Sequence, residues 1–128
     1  MSFDNGPLAV IRQGVAATLQ AAFADELTVY PNWTANFTTP AVILNGAGWE
    51  PWTGCSMNYN LQVTVIVADQ SGLAPSKTEE ATRQVWDVLA QNNYTSQAVP
   101  APGVVTVGDR DYPACQFTIP VLLNPKED

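Results

Sequence analysis

The 128-residue chain contains no histidine, and this absence excludes several classes of catalytic site. Ser-His-Asp triads, Cys-His pairs and histidine-containing zinc or iron sites all need an imidazole. Cysteine is scarce too, because Cys55 and Cys115 are the only two and lie far apart in the sequence. Two thiols cannot form a metal site alone. We therefore expect a protein that is not an enzyme and holds no cofactor or metal.

Charged residues are also few, at 13% of the chain, about half the usual share. Five basic against twelve acidic residues give a net charge of −7. Binding to a phosphate backbone needs clustered Lys and Arg, so this balance argues against a nucleic-acid-binding protein. The 46% of hydrophobic residues argues against disorder, and the length fits one domain. The low charge leaves much of the surface uncharged, which favours contacts between subunits.

Long hydrophobic runs are missing as well. The first residues, MSFDNGPLAV, lack the basic and apolar regions of a signal peptide, and no run approaches the roughly 20 residues of a membrane span. These features predict a protein of the cytoplasm with reduced thiols. The N-x-T sequons at Asn32, Asn36 and Asn93 are then without glycans.

The first predicted element is a helix from about Pro7 to Ala24. Apolar residues at steps of three or four share one face, namely Leu8, Ile11, Val15, Leu19 and Phe23. The opposite face carries small or modest residues, and the candidate interface residues among them are Val10, Gly14, Ala17 and Ala21. Apart from Arg12 the helix has no charge until Asp25. Because a solvated helix face normally carries charge, we expect this helix to be covered on both sides.

Three strands are predicted next. Leu27 to Pro31 is a short β-prone run, and Pro40 to Gly46 reads as a strand closed by an Asn45-Gly46 turn. Ala47 to Ser56 is expected to be an irregular, exposed loop. The stretch from Met57 to Ala68 alternates apolar and uncharged polar residues, which predicts a long strand with one buried face.

A second helix is predicted from about Lys77 to Gln91, with a capping box of Ser76 and Glu79 before and within its first turn. Its buried stripe comprises Ala81, Val85, Val88 and Leu89. The β-prone pieces that follow are Gln97 to Val99, Val104 to Val107 and, after a GDRDYP turn, Ala114 to Leu123. Pro120 predicts an edge or a bulge in the last of them.

The order of elements is therefore α-β-β-β-α-β-β-β. It predicts an α+β fold, with a mostly antiparallel mixed sheet packed against two helices. No linker or repeat divides the chain, so residues 1–128 are expected to form a single domain with flexible termini at 1–6 and 124–128.

Candidate chemical sites are few. Asp109 and Asp111 flank Arg110 in a predicted turn, and with Asp69 or Asp87 they could hold a cation, but solvated turn carboxylates are the favoured interpretation. The Gly46-Ala47-Gly48 sequence lacks the third glycine of a dinucleotide-binding loop.

Three tryptophans lie in the predicted loops, at Trp33, Trp49 and Trp52. Each of them either caps the chain's own core or anchors an interface, and the same two interpretations apply to Trp86 on the second helix. Trp49 and Trp52 complete the set of candidate interface residues.

The succession of elements resembles the tail terminator proteins of long-tailed (siphovirus-type) bacteriophages. It is carried by AVIRQGVAATLQAAFADELTVYP, PAVILNG, MNYNLQVTVIVAD, TEEATRQVWDVLAQN and GVVTVGDRDYPACQFTIPVLL, which together reach from about Leu8 to Leu123. The Tyr30-Pro31 step, the strand led by Pro40 and the Tyr112 before the final strand match that family's pattern. The pair of tryptophans at 49 and 52 departs from it.

This resemblance implies a structural protein of the virion tail or neck, made in the host cytoplasm. Its subunits would close, as in that family, into a hexameric ring that caps the tail tube and offers an attachment surface to the head connector. The implied partners are further copies of the chain, the tube protein and the connector, while DNA passes through an acidic lumen without specific binding. The alternatives are another neck component, such as a head-tail joining or head-closure protein, and a small-molecule-binding or enzymatic α+β domain.

Overall fold

In a computed structural model, the chain folds into a five-stranded mixed sheet with two helices, and the predicted α+β class is confirmed. The structure describes residues 6–34, 36–51, 57–67, 75–94, 103–107 and 109–123. The elements within these ranges are α1 (Pro7–Phe23), β1 (Thr28–Tyr30), β2 (Ala41–Pro51), β3 (Met57–Ile66), α2 (Pro75–Gln91), β4 (Gly103–Val107) and β5 (Arg110–Leu123). The predicted strand at 97–99 lies outside the described residues, as do termini 1–5 and 124–128.

The strand order is β1-β2-β3-β5-β4. β1 runs parallel to β2, and the other neighbours are antiparallel. β5 pairs with β3 through residues 115–123 and with β4 through residues 110–114. The β4–β5 hairpin therefore projects past the end of β3, while Pro120 lies in the part of β5 that has only β3 beside it among the described residues.

Both helices lie on one face of the sheet and enclose the main core. Alternate residues of β3 point into it, since Tyr59, Leu61, Val63 and Val65 are all buried. α1 and α2 contribute the stripes that their spacing predicts: Val15, Leu19 and Phe23 of α1 and Val85 and Leu89 of α2 are buried, and Leu8, Ile11, Ala81 and Val88 pack against them.

The second face of the sheet carries a smaller apolar cluster near the hairpin. Its buried residues are Ile43, Ile66 and Ala114, and Tyr30, Phe37, Val105 and Tyr112 pack against them. The rings of Phe37 and Tyr112 lie 5.0 Å apart between centroids, at 58°. Phe37, in the connection between β1 and β2, thus packs on this end of the face.

The expected turn at Asn45 and Gly46 is wrong, because β2 continues to Pro51 with a bulge between Gly46 and Trp49. Gly48 has a φ of 98° in this bulge, a conformation that favours glycine. The residues at 47–51 of the predicted irregular loop therefore belong to β2, and residues 52–56 lie outside the described part.

Two other boundaries differ from the prediction. α2 begins at Pro75, where a proline costs no helical hydrogen bond, so Ser76 lies inside the helix and the predicted capping box is wrong. β5 begins at Arg110, paired with Val107, so most of the predicted GDRDYP turn is strand.

Candidate interaction surfaces

The exposed face of α1 holds the four interface residues predicted on this helix. Val10 is 58% exposed, and Gly14, Ala17 and Ala21 are exposed beside it on the side away from the sheet. A Cβ at Gly14 would have nothing within 4 Å, so no packing within the subunit requires a glycine there. This face is uncharged, as the sequence predicts.

Trp49 lies apart from that face, beyond the bulge of β2 and opposite Tyr59 of β3. Its side chain is 59% exposed, so it does not cap the subunit's own core. Trp33 and Trp86 are 41% and 37% exposed. Trp52 lies outside the described residues, and its role at an interface stays a prediction.

Arg12 is a functional candidate that was missed among the sequence predictions. It lies on the core-facing side of α1, where its Nη1 donates to the Tyr59 hydroxyl over 2.8 Å and its Nε donates to Asn32 Oδ1 over 3.2 Å. Because Tyr59 is only 2% exposed, the hydroxyl oxygen that binds the guanidinium is itself fixed within the core. The available signal was its spacing, since Arg12 stands four residues after Leu8 and three before Val15, on the apolar face.

The partners of Arg12 are both neutral. Among the described residues the ion pairs are those of Arg83 with Glu80 and Asp87, each at 2.6 Å. Arg12 is therefore a half-buried cation whose positive charge has no carboxylate beside it in the described part of the chain.

Gly46 explains how Tyr59 reaches Arg12. A Cβ built on Gly46 would stand 2.8 Å from the Tyr59 hydroxyl oxygen, closer than such atoms approach. Gly46, which predicts a turn from the sequence, thus lies within β2 at a position where the Tyr59 side chain leaves no room for a Cβ.

The remainder of the second sheet face is polar. An open cleft of about 420 Å³ lies there, lined by Ala47, Glu50, Asn58, Asn60, Thr118 and Pro120. Beside it the Gln116 side-chain amide donates to the Thr64 hydroxyl over 3.1 Å. Amides and hydroxyls can both donate and accept hydrogen bonds, so this face suits a neutral polar neighbour.

The carboxylates considered for a cation are separated in the fold. Asp109 and Asp111 are on the hairpin, where Asp111 Oδ1 accepts from the Thr106 hydroxyl over 2.6 Å, and Asp87 is paired with Arg83 on α2. Asp69 lies outside the described residues, within which no three His, Cys, Asp or Glu side chains gather for a metal ion.

The only shifted ionisations among the described groups are on α2. The hydrogen bond from Arg83, with a further one from Gln84, lowers the pKa of Glu80. The same hydrogen bond to Glu80 raises the pKa of Arg83. All three side chains are on the solvent side of α2, and this arrangement is typical of a surface ion pair rather than of a catalytic site.

Cys115 is buried in β5, 2% exposed, as expected of a small apolar residue. Cys55 lies outside the described residues. The Gly46-Ala47-Gly48 sequence belongs to a strand and its bulge instead of opening a helix, so it has no phosphate-binding geometry.

The chain matches no protein-family model, and no curated protein is significantly similar to it. Neither helix of the described part combines the length and the apolar character needed to cross a membrane.

Proposed function

We propose that this protein is a structural subunit of a closed ring, of the kind that tail terminators of long-tailed bacteriophages form at the end of the tail tube. The observation that carries the proposal is the exposed, uncharged side of α1, with Val10 at 58% exposure and small residues one, two and three turns along. A single subunit leaves this apolar surface in water, and surfaces of this kind mark contacts between proteins.

A ring requires two different contact patches on each subunit, because a head-to-tail interface joins unlike surfaces. The side of α1 and the region around Trp49 are two separate surfaces available for contacts with neighbouring subunits, since the first faces away from the sheet and the second lies on the sheet itself. Exposed tryptophans are favoured anchors of protein interfaces. The resemblance of the sequence to tail terminators gives this ring its role: it ends tube growth and meets the head connector.

The acidic character of the chain agrees with that role. Each subunit carries a net charge of −7, and a ring of such subunits repels DNA that passes through it. The proposed location is the neck of the virion after assembly in the host cytoplasm. The same surfaces also suit another neck component, which would form a ring without ending tube growth.

The test combines Ala17→Arg with Ala21→Glu, which places two long charged side chains on the exposed side of α1. We expect the variant to keep the far-UV circular dichroism of the wild type and to lose ring formation in light scattering. Ala90→Arg, at an exposed position on α2, is the matched control and should assemble normally.

The role of the ring is tested with purified tail tube protein. Wild-type protein should shorten and narrow the distribution of tube lengths in electron micrographs, and the α1 variant should not. Rings that leave tube lengths unchanged would favour the other neck components. A variant that assembles as well as the wild type would show that α1 is not an interface.

The cleft on the second sheet face bears on the small-molecule-binding alternative. It is open, and its lining residues include two amides, one hydroxyl and Glu50 as the one carboxylate among them. Ligand sites are usually more enclosed and more apolar, so the geometry favours assembly over this alternative.

A further inference from the structure

We infer that Arg12 and Trp49 together receive the β4–β5 hairpin of a second copy of this chain, with Asp111 of that copy on Arg12 and its Val104 on Trp49. The inference deepens the proposed ring, on which it rests, by naming two unlike patches that meet. It is carried by the geometry of the two surfaces and by their charges.

The receiving surface pairs a cation with an exposed aromatic ring. Trp49 is the register partner of Tyr59, and opposite residues in an antiparallel pair point to the same side of the sheet. Their neighbours Glu50 and Asn58 line the cleft on the second face, which places Trp49 and Tyr59 on the helix side. Arg12, bound to the Tyr59 hydroxyl, is therefore near Trp49 on one surface.

Arg12 keeps donors for a further partner. A guanidinium has five N–H groups, and Tyr59 and Asn32 each accept from one of them. The remaining donors match a carboxylate, which Arg binds more strongly than it binds neutral oxygens. Because the two neutral partners already fix the side chain, little rotamer entropy remains to be lost when that carboxylate binds.

The hairpin presents the complementary pair of groups. Thr106 stands opposite Asp111 and Val104 opposite Pro113, so Val104 and Asp111 are diagonal neighbours on one side, roughly 7 Å apart. Val104 is 70% exposed and Asp111 is exposed. The other side of the hairpin, with Val105 and Tyr112, packs on its own subunit.

The two surfaces lie at opposite ends of the sheet. Tyr59 is the third residue of β3, whereas the hairpin projects beyond the last residues of that strand. A hairpin cannot reach the Arg12 of its own subunit, so the contact joins two copies head to tail. Repetition with a rotation closes a ring.

Several other carboxylates fit this contact less well. Glu80 and Asp87 are already paired with Arg83. Asp25 and Glu26 lie in the segment that follows α1. Among the described residues, this segment carries no large, exposed hydrophobic side chain that could pack on Trp49. Asp111 is the described carboxylate that has such a side chain as its diagonal neighbour.

The experiment uses one variant that damages each surface, Arg12→Glu and Asp111→Arg, in the full chain. Each variant alone should remain monomeric in sedimentation velocity, because every contact in it opposes like charges. Mixed in equal amounts, they should associate again, because the Asp111 hairpin of the Arg12→Glu variant still fits the intact Arg12 of the Asp111→Arg variant. At the next contact the two substituted side chains meet, and they are also opposite in charge. Asp111→Asn should weaken self-association several-fold at about 0.15 M salt, where the repulsion between the net charges is largely screened.

Lys77→Glu and Asp25→Arg are the matched charge reversals at exposed sites outside both surfaces, and they should assemble like the wild type. If Arg12→Glu loses its fold through the contact with Tyr59, Asp111→Arg alone tests the inference from the exposed hairpin. If Asp111→Arg assembled as well as the wild type, the inference would be overturned and the proposed ring would still stand. A wild type that stays monomeric when concentrated alone would also overturn it, while the tube-length experiment decides the proposed function separately.

Discussion

Gly46 shows how a single missing Cβ joins the sheet to α1. With an alanine there, the added carbon would stand 2.8 Å from the Tyr59 hydroxyl oxygen, which also accepts the hydrogen bond from Arg12. Overpacking of this kind costs about 1–3 kcal/mol of unfolding free energy. We expect Gly46→Ala to destabilise the protein by that amount in urea unfolding.

The contact can be isolated with a double-mutant cycle. Tyr59→Phe removes the offending oxygen, and the nearest ring carbons are then at ordinary distances of 3.5 and 3.6 Å. Gly46→Ala should therefore cost much less in the Tyr59→Phe background than in the wild type. Gly103→Ala, where a Cβ has nothing within 4 Å, is the matched strand control. Equal costs in both backgrounds would show that the clash does not involve the hydroxyl.

Gly14 separates stability from assembly at one residue. It lies inside α1 with open space around it, so Gly14→Ala should raise the unfolding free energy by about 0.5–1 kcal/mol through helix propensity. If the exposed side of α1 is an interface, the added methyl enters the contact and weakens assembly despite the higher stability. Denaturation curves and light scattering on the same samples check the two effects, and a loss of stability would contradict the first.

The same two glycines show what sequence patterns can and cannot reveal at this scale. The exposure of the residues around Gly14 follows from helical periodicity, which is a local property. The role of Gly46 depends on Tyr59, which is distant along the chain, and Asn-Gly is also a strong hairpin signal. A close approach between strands leaves no local mark that distinguishes it from a turn.

The connection between β1 and β2 contacts the sheet through one aromatic side chain. Phe37 lies in this segment and packs on Tyr112 and on the buried cluster of the second sheet face. Truncation of a half-buried aromatic side chain of this kind costs about 2 kcal/mol. We expect Phe37→Ala to lower the unfolding free energy accordingly.

Asn36→Ala is the control for that substitution, since Asn36 is the exposed neighbour in the same connection and uses only its backbone in hydrogen bonds with Thr34. It should stay within about 0.5 kcal/mol of the wild type. If Phe37→Ala were equally mild, the connection would not be held by its aromatic contact.

Elements with strong periodicity could be predicted from the sequence, and those set by pairing could not. α1, α2 and β3 follow from repeating apolar spacing, and their buried stripes are confirmed. The extension of β2 and the early start of β5 come from hydrogen bonds to neighbouring strands, which override weak local β preference. The hairpin that projects past β3 is likewise a consequence of register, so Asp111 and Val104 could not be brought together from the sequence.

At the scale of the whole molecule, net charge opposes any association of copies. Two bodies of charge −7 about 30 Å apart repel by roughly 7 kcal/mol in salt-free water, whereas an exposed ion pair contributes only about 0–1 kcal/mol. The Debye length falls from about 30 Å at 0.01 M salt to about 8 Å at 0.15 M, so salt screens the long-range repulsion far more than a close contact.

We therefore expect self-association of the wild type to strengthen as sodium chloride rises from about 0.01 M to about 0.15 M. Asp25→Asn with Glu26→Gln has a net charge of −5 (−7 plus two) and should show a shallower dependence on salt. Sedimentation equilibrium at several salt concentrations measures both slopes. An association that weakens steadily with salt would contradict this expectation. It would mean that most of the binding free energy comes from ion pairs, such as the one inferred for Arg12 and Asp111, and not from the uncharged side of α1.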